Sequence, residues 1–149
     1  MTTIHEPDRH LVQWVYVSTA ARVYDGADLD ALLDEAVRNN LRRGLTGMLL
    51  YADSGFMQAL ECECAAVEDL MATIRSDSRH RDILDLCFST ISERAFADGS
   101  MGFHRLTPAD MAHPQYVAFS DIGHWSGSER GDHASRLLHS FARDSSGAT

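Results

Sequence analysis

The stretch from Gly44 to Glu61, GLTGMLLYADSGFMQALE, limits the fold more than any other: two apolar segments flank the turn Asp53-Ser54-Gly55. Such a pattern is a β-hairpin. In its second strand Phe56, Gln58 and Leu60 share one face by the two-residue period. A glutamine amide therefore occupies a position where the pattern asks for hydrocarbon. A buried amide without partners costs on the order of 1–3 kcal/mol, so something has to hydrogen-bond Gln58.

The flanking segments complete a recognisable order. Leu11 to Ser18, LVQWVYVS, reads as a strand with Val12, Trp14, Tyr16 and Ser18 on one face. Asp25 to Asp28 supply N-cap candidates for a helix running to about Arg43, acidic early and basic late as the helix dipole favours, with Gly44 as its stop. Its apolar stripe is Leu29, Leu32, Leu33, Ala36 and Val37, and the next step along it is Asn40, a second inward amide. Ala65 to Arg75 repeats the helical spacing with Val67, Leu70, Met71 and Ile74, then ends in the polar run Ser76 to His80. Ile83 to Ile91 forms a fourth strand, and Arg94 to Phe103 leads into a fifth centred on Met101. The order β-α-β-β-α-β is α+β and ferredoxin-like, with two helices on one face of an antiparallel sheet. Many unrelated functions use that fold, so function has to come from the site.

With 149 residues the chain fits one domain and a short appendage. The expected division is a tail at 1–10, the domain at 11–106, a helical appendage at 107–143 and a disordered tail at 144–149. Within the appendage a helix from about Ser128 to Phe141 carries Ala134, Leu137, Leu138 and Phe141 as its stripe, and the sheet's open face is the expected place for it to pack. Net charge is -9 with no run of Lys or Arg, which argues against nucleic acid or an anionic membrane as partner. No apolar run approaches the roughly 20 residues of a membrane helix, and MTTIHEPDRH lacks a signal peptide's apolar core, so the expected location is the cytoplasm. Cys62, Cys64 and Cys87 are expected as thiols, and no Cys or His pairs stand at zinc-ligand spacing.

Tyr16, Asn40 and Gln58 come from three elements that this topology packs together, and all face inward with Ser18 beside them. Such convergence fits a polar ligand edge or a self-satisfied network, and periodicity favours neither. Taken alone, Tyr16 reads as a core tyrosine and Ser76 to His80 as a solvated helix exit.

The segments Val15-Tyr16-Val17-Ser18, Arg38-Asn39-Asn40, Leu45-Thr46-Gly47, Gly55 to Glu61, Asp77-Ser78-Arg79-His80 and Phe96 to Phe103 resemble the BLUF family of blue-light sensors using flavin. The resemblance covers Leu11 to Leu106. It implies a non-enzymatic photoreceptor with an isoalloxazine ring between the two helices, normally from FAD, with FMN as the alternative. By that resemblance Asn40 holds the ring's polar edge, Asn39 lies beside it, Gln58 links the ring to Tyr16, and Ser18 supports the Gln58 amide. Asp77, Arg79 and His80 face the ribityl and phosphate end. Excited flavin takes an electron and then a proton from Tyr16 through Gln58, and a rearranged Gln58 remains. The fifth strand at Met101 and the C-terminal appendage then carry the signal to a downstream protein or a homo-oligomer.

Several positions depart from the family pattern. Gly99 stands where many members have a tryptophan, two residues before the methionine, which predicts altered dark recovery. Trp14 takes a commonly aliphatic place, as core or as a competing electron donor. Cys62 replaces a usual glycine, and Thr73 a common basic residue near the cofactor. The competing reading is a ferredoxin-like interaction or oligomerisation module without flavin. A flavin oxidoreductase would need an acid or base poised by the ring, and the sequence offers none.

Overall fold

β1 (Leu11–Ala20), α1 (Gly26–Arg43), β2 (Thr46–Ala52), β3 (Gly55–Glu63), α2 (Cys64–Arg75), β4 (His80–Ile91), β5 (Gly102–Arg105) and α3 (Pro108–Met111) follow one another in the computed structural model. It describes residues 10–22, 24–52, 55–96, 102–112, 136 and 138, with 103 and 104 as backbone only. α1 starts and stops where its sequence signals stand. Asp25 accepts from the Asp28 amide while the Asp28 carboxylate accepts from the Asp25 amide, and Gly44, at φ 68°, donates back to the carbonyls of Asn40 and Leu41.

The sheet order is β4-β1-β3-β2-β5, which puts β1 and β3 in the interior. Tyr16 lies opposite Gln58 across the β1–β3 ladder, and Leu49 opposite Gln58 on the other side. β1 to β4 pair antiparallel, as expected for the β-α-β-β-α-β unit, and the fifth strand, whose direction the sequence left open, joins β2 in parallel. The reason lies in the route: the chain leaves β4 at one edge, crosses to the other and comes back beside β2 in the same direction. The described part of β5 is Gly102–Arg105. Met101 and Gly99 themselves lie outside the described residues, as do Asp53 and Ser54 of the hairpin turn.

β4 starts at His80, earlier than the hydrophobic pattern suggested, because its early residues continue the backbone ladder to the end of β1, which needs no apolar side chains. The β1–β4 register shifts between Val15 and Tyr16 and again between Val17 and Thr19, and Asp82 there has φ 53°. Such bulging re-aims side chains, here beside Tyr16 and Ser18. The weak pattern after Leu106 hid α3. Thr107 and Asp110 form its capping box, with Pro108 in its first turn.

Two cores result, one on each side of the sheet. Val12, Trp14, Tyr16, Leu29, Phe56, Leu60 and Val67 belong to the side covered by α1 and α2. Val15, Val17, Met48, Leu50, Met57, Phe96 and Leu138 belong to the opposite side. Of the helix expected from Ser128 to Phe141, Arg136 and Leu138 are described, both helical. Leu138 is buried against the domain's own sheet, where that helix was expected to pack. Ala134, Leu137, Phe141 and both expected tails, 1–9 and 144–149, lie outside the described residues.

Candidate functional site

A cleft opens between α1 and α2 over the middle of the sheet, with an empty volume of about 750 Å³ that includes its solvent-open part. Its floor is Tyr16, Leu49, Phe56 and Gln58. α1 contributes Leu32, Ala36, Asn39 and Asn40, and α2 contributes Leu70, Thr73 and Ile74. The α1 stripe thus does what its spacing predicted: it turns Asn40 inward, 3% exposed, into the lining of the cleft. Asn39, one residue earlier and outside the stripe, lines the exposed rim.

Tyr16 and Gln58 are brought together by the β1–β3 register, and the Tyr16 hydroxyl donates to Gln58 Oε1. Burial, with the negative charge of Asp77 added, holds the phenol well above the ordinary tyrosine range. Tyr16 is therefore a neutral proton donor here. Trp14 stacks on its other side at 4.4 Å between centroids, and its Nε1 donates to Asp85 Oδ1 at 3.0 Å. Arg75 Nη2 grips both oxygens of the same Asp85, at 2.9 and 2.8 Å. Trp14 does not line the cleft.

Ser18 and His80 meet each other, a contact that the sequence did not predict. Ser18 Oγ lies 2.8 Å from His80 Nδ1, and His80 Nε2 lies 2.9 Å from the Ile74 carbonyl. Serine was expected beside the Gln58 amide and histidine toward a phosphate. Because β4 begins at His80 opposite Ala20, the imidazole reaches back over Ser18 with its ring 6.1 Å from Tyr16. A carbonyl only accepts, so in the neutral ring Nε2 carries the proton and Nδ1 accepts from Ser18.

The mouth of the cleft is built from Asp77, Arg79 and Glu35. Asp77 accepts the Arg79 amide at 2.9 Å and its guanidinium at 3.0 and 2.6 Å, while Arg79 Nη1 reaches Glu35 at 2.7 Å across the opening. These bonds hold the Asp77 carboxyl below the usual carboxylate range and raise Arg79. Ser76 to His80 is thus an ordered turn, with Tyr24 Oη donating to the Arg79 carbonyl at 3.1 Å, and not a solvated helix exit. The sequence reading missed Glu35. Its signal was its place four residues before Asn39, one turn back along the same rim.

Thr73 brings no cation to the cleft, and its hydroxyl donates to the Asp69 carbonyl at 3.3 Å. Cys62 is buried beside the Arg43 and Gly44 carbonyls, the three cysteines are free, and no metal-holding cluster occurs among the described residues. Aliphatic walls, an aromatic floor and buried amides at one edge suit a flat heteroaromatic ring with N–H and C=O groups on one side. The residues present fit a flavin.

A family model described as sensors of blue-light using FAD matches residues 11–102. The photoactivated adenylate cyclase subunit beta of Euglena longa is 37% identical over 89 residues, which are 60% of this chain and 10% of that protein. The chain spans about a tenth of the length of the curated relatives it matches. BlrB, a BLUF protein solved in its dark state, superposes with TM-score 0.70 at 29% identity, over 92% of this chain and 98% of that one. BlsA in its photo-activated state gives 0.69 at 28% identity, over 87% and 94%.

Proposed function

This chain belongs to the BLUF family of flavin-dependent blue-light sensors, and we propose that it reads light through Tyr16 and Gln58 at the floor of the α1–α2 cleft. The domain is a photosensor, not an enzyme. The observation that carries the residue assignment is the hydroxyl of Tyr16 donating to Gln58 Oε1 in a buried, cleft-lining position.

Bound flavin supplies the absorption of blue light and, when excited, an oxidant strong enough to draw an electron from a phenol. Tyr16 holds its proton on Oη against Gln58 Oε1, so loss of an electron from Tyr16 sends that proton along the bond already made. Gln58 has its carbonyl turned to Tyr16, which leaves its Nε2 as the donor end; exchanging the two ends reverses the donor and acceptor pattern that the amide offers. Asn40 holds the polar edge of the ring, Asn39 shields its rim, and Ser18 with His80 closes the sheet side. Arg79, steadied by Asp77 and Glu35, is the cation that faces the phosphate end, which FAD and FMN both carry; we take the flavin as FAD because the matched family is described by it, with FMN as the alternative.

We assign the domain to residues 11–106 and the output to Met101, β5 and the appendage at 107–143, from which a downstream protein or a second copy receives the signal. No described helix is long and apolar enough to cross a membrane. Free cysteines suit a reducing compartment, and we place the protein in the cytoplasm. The test is the visible spectrum in the dark, after a blue flash and during recovery, beside Gln58→Leu. A flavin band that moves to the red without bleaching, relaxes thermally, and stays fixed in Gln58→Leu is expected. A protein that takes up no flavin, or a variant that shifts like the parent, refutes the assignment.

A further inference from the structure

We propose that Glu61 is the positioning residue through which the state of Gln58, on one face of β3, reaches the chain that leads into β5 on the other side of the sheet. The inference rests on the light-sensing reading above. Glu61 is 0% exposed in an interior strand, and nothing in the cleft uses it. Its carboxylate gathers donors from every direction. Oε2 accepts Gln13 Nε2 of β1 at 3.0 Å and the Ala95 amide at 2.8 Å. Oε1 accepts Thr46 Oγ1 of β2 at 3.2 Å and the Phe96 amide at 2.9 Å. All four partners donate, two of them being consecutive backbone amides aimed one at each oxygen. Charge-assisted bonds of this kind are the strong ones.

These contacts make Glu61 the fastening point of the segment between β4 and β5. Arg94 adds to it, with Nη1 donating to the Glu61 carbonyl at 3.0 Å and to Thr46 Oγ1 at 2.9 Å. The segment then runs on to Gly102 of β5, which pairs with Met48 of β2. Between Gln58 and Glu61 the strand lies close against β2: a Cβ placed on Gly47 would fall 2.1 Å from the Ala59 carbonyl oxygen, so the contact admits no side chain. Ala59 and Leu60 are themselves fully buried. A displacement of β3 that follows the exchange of Gln58's amide ends is passed along a packed strand to a carboxylate that grips the next segment by its amides. Coupling of this kind needs a two-state element that both ends bias, and the Glu61 fastening is that element.

The experiment is a pair of ¹H–¹⁵N amide spectra of the flavin-loaded protein, dark and under blue light, with the visible spectrum recorded on the same sample. Light is expected to shift the Ala95 and Phe96 amides in the parent protein and to leave them unmoved in Gln58→Leu. In Glu61→Gln the flavin band still shifts to the red, because the cleft is intact, but the light-driven amide shifts after Arg94 are lost. A glutamine offers one acceptor oxygen and sets an NH₂ against a backbone N–H. The same substitution also moves the Ala95 and Phe96 amides in flavin-free protein, which reads the contact without photochemistry. Should Glu61→Gln fail to fold, Thr46→Val removes a single donor to Oε1 and diminishes the Phe96 response. A red shift in the parent with Ala95 and Phe96 unmoved overturns the inference alone, as does a Glu61→Gln protein that keeps their response. Absence of any red shift in the parent overturns the light-sensing reading itself.

Discussion

Truncating Leu138 tests whether the C-terminal helix belongs to the domain or stands free for a partner. The side chain is 1% exposed and belongs to the same core cluster as Val15, Val17, Leu50 and Met57, all on paired strands. A cavity left by Leu138→Ala is walled by hydrogen-bonded sheet and cannot collapse far. The cost therefore falls in the middle to upper part of the range for buried leucines, roughly 3–4 kcal/mol. For a chain of this size each kcal/mol lowers Tm by about 2–4 °C, so the expected loss is roughly 6–16 °C. Thermal unfolding followed by circular dichroism reads it, beside Leu41→Ala on the outside of α1. Leu41 is 67% exposed, and its truncation should stay within about 0.5 kcal/mol. If the two variants melt together, the helix is not part of the core. The sheet face opposite the cleft would then be free for an output partner. If Leu138→Ala melts low, a partner using that face has first to displace Leu138.

Other outcomes follow from the site and its surroundings. Tyr16 has a raised pKa from burial and from Asp77. The unfolded phenol ionises near pH 10 and the folded one above it, so the contribution of neutral Tyr16 is complete below about pH 10 and is lost as pH rises beyond it. An alkaline titration of Tm should fall more gently there in Tyr16→Phe, and parallel curves would contradict the assignment. Gly47→Ala sets a methyl against the Ala59 carbonyl and should cost about 3 kcal/mol or more, seen as a lower urea midpoint at unchanged slope; an unaltered midpoint would show that β2 and β3 can part. Trp14 stacks on Tyr16 and does not line the cleft, so Trp14→Phe should cost about 1–3 kcal/mol in stability while photoproduct yield and flavin excited-state lifetime stay as they were. A higher yield would make Trp14 a competing donor.

What the sequence made legible was set by local rules. α1 was read from Asp25 to Gly44 because caps are short-range devices, and Asn40 was found inward because one step of the helical period carried it there. Tyr16 and Gln58 were read as neighbours for the corresponding reason in strands. Ser18 and His80 were placed apart, since nothing local reveals that β4 begins early and bulges against β1. α3 was not singled out within the expected appendage, although Thr107-Pro108-Ala109-Asp110 carries both a cap and an N-terminal proline, because a single turn is too short to show an apolar period.

Glu61 shows where such reading stops and why. β3 lies between β1 and β2 with both faces covered, so each polar side chain in its interior is an anomaly that needs partners. Gln58 announced itself because alternation put it on the face already assigned to the helices. Glu61, three residues on, fell on the other face, beyond the apolar alternation that singled out Gln58, and a carboxylate at the end of a strand drew no attention. Its real partners are a side chain from each neighbouring strand and two backbone amides from a segment more than thirty residues away, and amides carry no sequence signature. The two anomalies are of one kind. One is answered by Tyr16 in a cleft built to take a ligand, and the other by the chain on its way to the strand that pairs with β2. A central strand that holds a polar group on each face has the physical means to tie what happens on one side of a sheet to the backbone on the other.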